Sequence, residues 1–272
     1  MRKLKVYYAN VDNMGDKLNA YLMRQLFGYE IVRRTPLTCE LSGIGSGLGQ
    51  FTYSSKKWLS SAEVITGKLW PETFVWGTGF IDQREDAPFY RGNMKFCAVR
   101  GQLSKQRVEK LLGKPMKIPV GDGGILTERA FDRPIEKKYE VGIIAHYKEQ
   151  GEPVFMQLAQ QFPKSLIINV RQSPEIVAEQ IAQCECILSS SLHGLILADS
   201  FHIPNLHIKV SNAMLGDGFK YADYYSSYGL ENIKKDLNRE FIHSLYDVYD
   251  NYHVTPQMVE QQKNAMQAAF PF

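Results

Sequence analysis

From Tyr139 onward, short apolar runs and amphipathic stretches take turns. Tyr139 to Ala145 reads as a strand, Pro153 to Phe162 as a helix, Ser165 to Val170 as a strand and Pro174 to Gln183 as a helix. Cys186-Ile187-Leu188 then runs into Ser189-Ser190-Ser191 and a helical pattern from Leu192, and a last strand lies near Asn205 to Lys209. Strands separated by single helices pair in parallel, which predicts a parallel sheet with helices on both faces.

Ligands of such sheets bind at the carboxyl ends of the strands. The residues that follow each strand are therefore the candidates: His146, Arg171 and the serine run with His193. Ser190 and Ser191 fall where a helix begins, and its free N–H groups and dipole suit an anion. Capping alone would also account for these serines. His193 falls in the first helical turn, where a side chain that titrates near neutrality can serve as a general acid or a hydrogen-bond donor. Three cationic or ionisable groups at one sheet edge describe an anion pocket better than a core.

The first half of the chain alternates less cleanly. Lys3 to Asn10 reads as a buried strand, followed by a polar turn and a helix from about Asp16 to Phe27 with Gly28 as its stop. Asp12, Asn13 and Asp16 suit turn and cap chemistry, which explains Asn19 less well; all four lie at the carboxyl end of the first strand. Glu40 to Gly49 and Thr73 to Phe80 each read as a short strand ending in a glycine-rich turn. Gly45-Ser46-Gly47-Leu48-Gly49 lacks the G-x-G-x-x-G spacing and no G-x-x-x-x-G-K-[ST] occurs, so neither a dinucleotide fingerprint nor a P-loop is expected. Lys95 to Gly101 reads as a strand whose end carries Arg100, just before a helix from Leu103 to Leu112, a position suited to bidentate contact with a carboxylate or phosphate. Pro119 to Leu126 supplies one more strand and turn, and the charged, proline-containing Thr127 to Lys138 reads as a linker.

A length of 272 residues suits two such units with a cleft between them. The boundary near Pro134 divides the chain into a first lobe over 1–133, a second over 134–255, and a tail over 256–272 whose helical spacing predicts docking on one of the lobes. In the second lobe a polar, aromatic loop from Gly216 to Tyr224 offers Lys220 to an anion and Tyr221 or Tyr224 to a sugar ring. The net charge of +3 is too weak for a dedicated nucleic-acid binder. Cys39, Cys97, Cys184 and Cys186 form no C-x-x-C pair, so free thiols in a reducing compartment and no metal site are expected. No signal peptide or membrane span is read, which predicts a cytoplasmic protein and leaves contact with the inner face of the membrane open.

Asn13-Met14-Gly15-Asp16-Lys17-Leu18-Asn19, Trp76-Gly77-Thr78-Gly79-Phe80, Val99-Arg100-Gly101 with Ser104, and Ser189-Ser190-Ser191-Leu192-His193-Gly194-Leu195-Ile196 together resemble the polysaccharide pyruvyl transferase family, in particular its shorter bacterial ketal-forming members of exopolysaccharide synthesis. The resemblance implies an α/β fold of two Rossmann-like lobes similar to the GT-B glycosyltransferase architecture. It further implies phosphoenolpyruvate as donor, with no cofactor, and a sugar of a lipid-linked or polymeric glycan as acceptor. Arg100 and His193 match positions associated with donor binding and catalysis. Part of the family has arginine before Leu-His, where this chain has Ser191, so Arg171 or Lys220 is expected to help hold the donor. The proline that usually follows the aspartate closing the first lobe is replaced by Gly123, which puts the role of Asp122 in question. The expected site combines His193 and Arg100 as catalytic groups and Ser190, Ser191, Arg171 and Lys220 for the donor. Asp12, Asn13, Asp16 and Asn19 are expected to serve the acceptor. The alternatives are a nucleotide-sugar glycosyltransferase of the same architecture and a non-catalytic glycan-binding assembly factor.

Overall fold

A computed structural model describes residues 2–53, 71–83, 87–132, 134–211, 216 and 218–272. Arg133, in the expected linker, and Asp217, in the expected aromatic loop, lie outside the described residues. The first lobe runs β1 (Arg2–Tyr7), α1 (Met14–Phe27), β2 (Tyr29–Arg33), β3 (Leu41–Ser42), β4 (Thr73–Val75), β5 (Met94–Phe96) and α2 (Gln102–Leu112). A 3-10 segment, Gly123–Ala130, leads to the second lobe: β6 (Tyr139–Ile144), α3 (Pro153–Gln161), β7 (Ser165–Ile168), α4 (Pro174–Ala182), β8 (Cys184–Ser189), α5 (Leu192–Ser200), β9 (Asn205–Lys209), α6 (Phe219–Ser226), β10 (Lys234–Asp236) and α7 (Tyr246–Tyr249). The closing helix is α8 (Pro256–Ala268).

Local chemistry fixes the boundaries. The Asn13 side chain caps α1 by accepting from the Asp16 amide, and Gly28 ends it in the left-handed region at φ 70°. Ser173 before Pro174 starts α4, and Thr255 before Pro256 starts α8, each side chain accepting an orphan amide of the first turn.

Among the described residues two five-stranded sheets result, ordered β2-β1-β3-β4-β5 and β10-β9-β8-β6-β7, with every pair parallel. Counted within its own lobe, each sheet has the order 2-1-3-4-5, the doubly wound arrangement with its crevice between the first and third strands. These switch points lie at the ends of β1 and β3 in one lobe and of β6 and β8 in the other. The fold is therefore α/β with two Rossmann-like lobes and a cleft between them, as expected. The strand expected over Pro119 to Leu126 is reduced to a single bridge between Val120 and Val99. The segment after it winds into the 3-10 turn because Asp122 caps it through the Gly124 amide and Ile125 and Leu126 turn into the core.

The lobes share one apolar core. Leu18, Trp76 and Ile125 from the first pack in the same cluster as Ile144, Leu195 and Ile196 from the second. α5 is apolar nearly all round, as a helix buried on every side must be. α8 returns to the first lobe, where Trp76 Nε1–H donates to the Met266 carbonyl at 2.9 Å and Phe270 stacks on Phe27 at 3.7 Å. α6 reaches back too: Asp223 accepts from the Ser104 amide at 2.7 Å and hydroxyl at 2.6 Å, and Ser226 Oγ accepts from the Gln102 amide at 2.9 Å, so the N-terminus of α2 is capped from the other half of the chain. Among the described residues no helix is long and apolar enough to cross a membrane.

Candidate active site

A cleft of about 330 Å³ opens where the two switch points face each other. Tyr7 at the end of β1 and Tyr8 after it, Asn13 and Asp16 at the start of α1, Ser46 after β3 and Thr78 after β4 form the first-lobe wall. His146, Tyr147 and Lys148 after β6, Ser191 and His193 at the start of α5, and Lys220 on α6 form the second.

The serine run builds the turn that presents His193. Ser189 Oγ accepts from the Ser191 amide at 3.0 Å and donates to the Ser191 carbonyl at 2.9 Å. Ser190 Oγ accepts from the His146 amide at 2.9 Å and donates to Glu149 at 2.7 Å, joining the loops after β6 and β8. Glu149 also accepts from Ser211 Oγ at 2.5 Å, which brings in the end of β9.

The His193 ring lies against the backbone of Gly15. A Cβ at position 15 would stand 2.1 Å from His193 Nδ1, so only glycine admits the ring there. The other ring nitrogen, Nε2, faces Asp122 Oδ2 at 4.0 Å, and both atoms are buried without a hydrogen-bond partner. Burial pushes the Asp122 carboxyl up to about 7, opposed by the Gly124 amide and the Arg100 charge. Burial and the neighbouring charges of Lys220 and Arg100 push His193 down to about 3. A protonated acid facing a neutral imidazole is the state these environments favour.

Lys220 makes no hydrogen bond or ion pair among the described residues, its ammonium lying 5.1 Å from the centre of the Tyr221 ring. Burial and then Arg100 lower its pKa to about 8. His146 is pushed down to about 3 by burial and by Lys220 and Lys148. On the opposite wall, burial raises Asp16 to about 6 although Asn13 Nδ2 donates to it at 2.6 Å.

Of the residues expected from the sequence, His193, Ser191, Lys220, Asn13 and Asp16 line the cleft together, with His146. The other five do not. Arg100 is fully buried behind the wall, bonded to Asp223 Oδ2 at 3.0 Å, the Phe80 carbonyl at 2.5 Å, Ser46 Oγ at 2.6 Å and the Gly45 carbonyl at 3.4 Å, so it meets the cleft through Ser46 and Gly45. Ser190 is consumed by His146 and Glu149. Arg171 is exposed outside the cleft, bonded to Gln150 at 3.0 Å and the Tyr147 carbonyl at 3.4 Å. Asp12 is 65% exposed and paired with Lys17 at 2.6 Å. Asn19 is buried, where it pairs with the Ile44 amide and carbonyl at 2.9 and 3.1 Å and so ties α1 to the turn after β3. Tyr221 and Tyr224 cannot stack on a sugar: both are buried, with hydroxyls donating to the Ser190 carbonyl and to Asp199.

Lys148, Tyr8, Tyr147 and Asp122 are the additions. The first three follow β6 or β1 directly, so the strand-end rule that selected His146 would have found them. Only the fold brings Asp122 to His193.

Residues 71–212, which span β4 to the end of β9 and include Arg100, Asp122 and His193, match the family model for polysaccharide pyruvyl transferase. The chain belongs to the polysaccharide pyruvyl transferase family. It is thereby a glycan-modifying transferase. It is 30% identical over 232 residues, 83% of this chain and 74% of the relative, to the uncharacterized protein L143 of Acanthamoeba polyphaga mimivirus. Among solved structures it is similar to a functionally uncharacterized protein, KP1_0663, of Klebsiella pneumoniae subsp. pneumoniae NTUH-K2044, at 13% identity and TM-score 0.45 over 84% of this chain and 87% of that one. A second similar structure is the E. coli heptosyltransferase WaaC with ADP-2-deoxy-2-fluoro heptose, at 14% identity and TM-score 0.35 over 79% of this chain and 91% of that one.

Among the described residues one trio of metal-capable side chains occurs, Glu128, His202 and Glu260, and none of the three lines the cleft. The Lys263 ammonium already sits among them, 2.7 Å from Glu260 and 3.3 Å from His202 Nε2 and bonded to Glu128, so the cationic position is filled.

Proposed function

We propose that this transferase moves the pyruvyl group of phosphoenolpyruvate onto two hydroxyls of one sugar in a lipid-linked or polymeric glycan, forming a ketal and releasing phosphate. The observation that carries the reading is the division of charge across the cleft. Lys148 and Lys220 bring two ammonium groups without an ion-pair partner among the described residues to the second-lobe wall, beside His193. The first-lobe wall offers a carboxylate, hydroxyls and aromatic rings, the usual means of gripping a sugar.

In this scheme the donor carboxylate and phosphate lie against Lys220, Lys148 and the N-terminus of α5 at Ser191. His193 delivers a proton to C3, whose bond to hydrogen forms from the C2–C3 π electrons and leaves an oxocarbenium centre at C2. A sugar hydroxyl attacks C2 while Asp16 takes its proton. Phosphate then departs with the C2–O bond electrons, and the second hydroxyl attacks the renewed cation. Of the two hydroxyl protons, one replaces that given to C3 and the other leaves on phosphate. No cofactor enters the balance. Arg100 contributes by holding Ser46 and its glycine loop rather than by touching the donor. Phosphoenolpyruvate is a cytoplasmic metabolite, so the reaction belongs in the cytoplasm, at the inner face of the membrane when the acceptor is lipid-linked.

Thermal unfolding with phosphoenolpyruvate or with nucleotide sugars, followed by phosphate release in the presence of a glycan acceptor, tests the reading. A ligand that binds only the folded state raises the midpoint. Stabilisation by phosphoenolpyruvate and acceptor-dependent phosphate release are expected. Stabilisation by a nucleotide sugar alone would mean glycosyl transfer, and by neither donor, a glycan-binding assembly factor.

A further inference from the structure

Two buried polar atoms face each other behind the cleft wall. Asp122 Oδ2 and His193 Nε2 stand 4.0 Å apart, each without a hydrogen-bond partner. Leaving such atoms unpaired in the interior is costly, so a pair retained in this form calls for an explanation. Asp122 is fully buried and fixed from behind, its Oδ1 accepting from the Gly124 amide at 2.9 Å. His193 is pinned by Gly15 on its Nδ1 edge, while the ring lines the cleft.

We propose that Asp122 is the proton partner of His193: the carboxylic acid donates its hydrogen to Nε2 as Nδ1–H passes to C3 of phosphoenolpyruvate. In the resting pair the acid keeps its proton and the imidazole is neutral, with its hydrogen on Nδ1. In the step, the Nδ1–H bond breaks as C3–H forms, and the Asp122 O–H bond breaks as Nε2–H forms. The pair goes from neutral to singly negative while imidazolium is never formed. Asp122 regains its proton by the reverse shift, Nδ1 taking the hydrogen of the second attacking hydroxyl while Asp16 takes that of the first and passes it to phosphate. This inference deepens the pyruvyl-transfer reading and rests on it for the atom that receives the proton.

The charges around the pair favour that route. Arg100 after β5 and Lys220 on α6 flank His193, with the neutral ring of His146 after β6 beside it, so an added positive charge on the ring would meet like charge from two elements. Asp223, also on α6, raises the Asp122 carboxyl together with burial. A relay that keeps the ring neutral avoids the first penalty, and the charge it leaves on Asp122 is met by Arg100 and the Gly124 amide. Asp122 touches no substrate in this scheme and is a positioning and proton-supplying residue.

Nitrogen-15 spectra of histidine-labelled protein, with the His193 signals assigned through His193→Gln, read the ring state directly and need no turnover. Hydrogen on Nδ1 and a bare Nε2 at pH 7 are expected. Asp122→Asn places an amide N–H where the acid's O–H stood, so it can donate to Nε2 as the two close to hydrogen-bond distance and keep that tautomer, but it cannot release a proton. Its kcat for phosphate release should fall about 100-fold or more, with the thermal stabilisation by phosphoenolpyruvate unchanged. Wild-type kcat/KM should fall in two steps as pH rises, through about 7 where Asp122 ionises and through about 8 where Lys220 loses its charge, and only the first should vanish in Asp122→Asn. Hydrogen on Nε2 in the wild type, or near-normal kcat in Asp122→Asn, overturns the proposal. The expected tautomer in a wild type that never releases phosphate from phosphoenolpyruvate instead overturns the pyruvyl-transfer reading, and with it the step to C3, while the hydrogen bond to Nε2 stands.

Discussion

The Arg100 guanidinium and the Asp223 carboxylate meet at 2.9 Å with neither side chain exposed, joining the end of the first sheet to a helix more than a hundred residues later in the chain. Every arm of the guanidinium is engaged, by Asp223, Phe80 and Ser46. Arg100→Ala leaves Asp223 buried and uncompensated and should destabilise the fold by about 3–5 kcal/mol in chemical denaturation. Arg100→Lys should recover little of this, because one ammonium cannot reproduce a planar fork. A variant of wild-type stability with only a raised KM for phosphoenolpyruvate would mean that Arg100 touches the donor after all.

His193→Ala should lower transfer by about 100-fold to 10,000-fold, the range for loss of a positioned general acid, with unfolding midpoint and donor binding close to wild type. Phosphate release and a thermal scan on the same preparation check both halves of this expectation.

Lys220 titrates near 8 because burial and Arg100 disfavour its charge. An anionic donor needs the protonated form, so affinity for phosphoenolpyruvate should be full below about 7 and decline as pH rises through 8. Calorimetric titration across that span should show the loss in the wild type. In Lys220→Met, affinity should be lower by about tenfold or more at neutral pH, the loss of one charge-assisted contact, and flat near pH 8.

Gly15→Ala places a methyl group on the His193 ring position and should displace the imidazole. Misplacement by about 1 Å can cost 100-fold in rate, so activity should fall steeply while far-ultraviolet dichroism is kept. Unchanged turnover would show that the ring has other productive positions.

β6 to β9 of the second sheet were readable because they carry apolar runs, with β6, β8 and β9 largely buried and Ser173-Pro174 marking a helix start between them, whereas β10 is the polar Lys234–Asp236 and went unread. β3, β4 and β5 are two or three residues long and give no such run, and the Pro119 to Leu126 stretch is apolar because it fills a core, not because it extends a sheet. In the cleft, proximity to a strand end was enough to find His193, Ser191, Asn13 and Asp16. It failed for Arg100 and Asn19, whose roles depend on partners 123 and 25 residues away. Burial beside a fixed acceptor turns a candidate ligand contact into a structural one, and spacing along the chain carries no trace of that.

α8 supplies Met266, and the segment after it Phe270, to the tryptophan and phenylalanine that close the first lobe. The half of the protein that leaves the ribosome earliest is thus finished last. Until residues 266–270 have been made, Trp76 lacks the Met266 carbonyl and Phe27 its Phe270 stack, and a nascent chain must either shield them or wait.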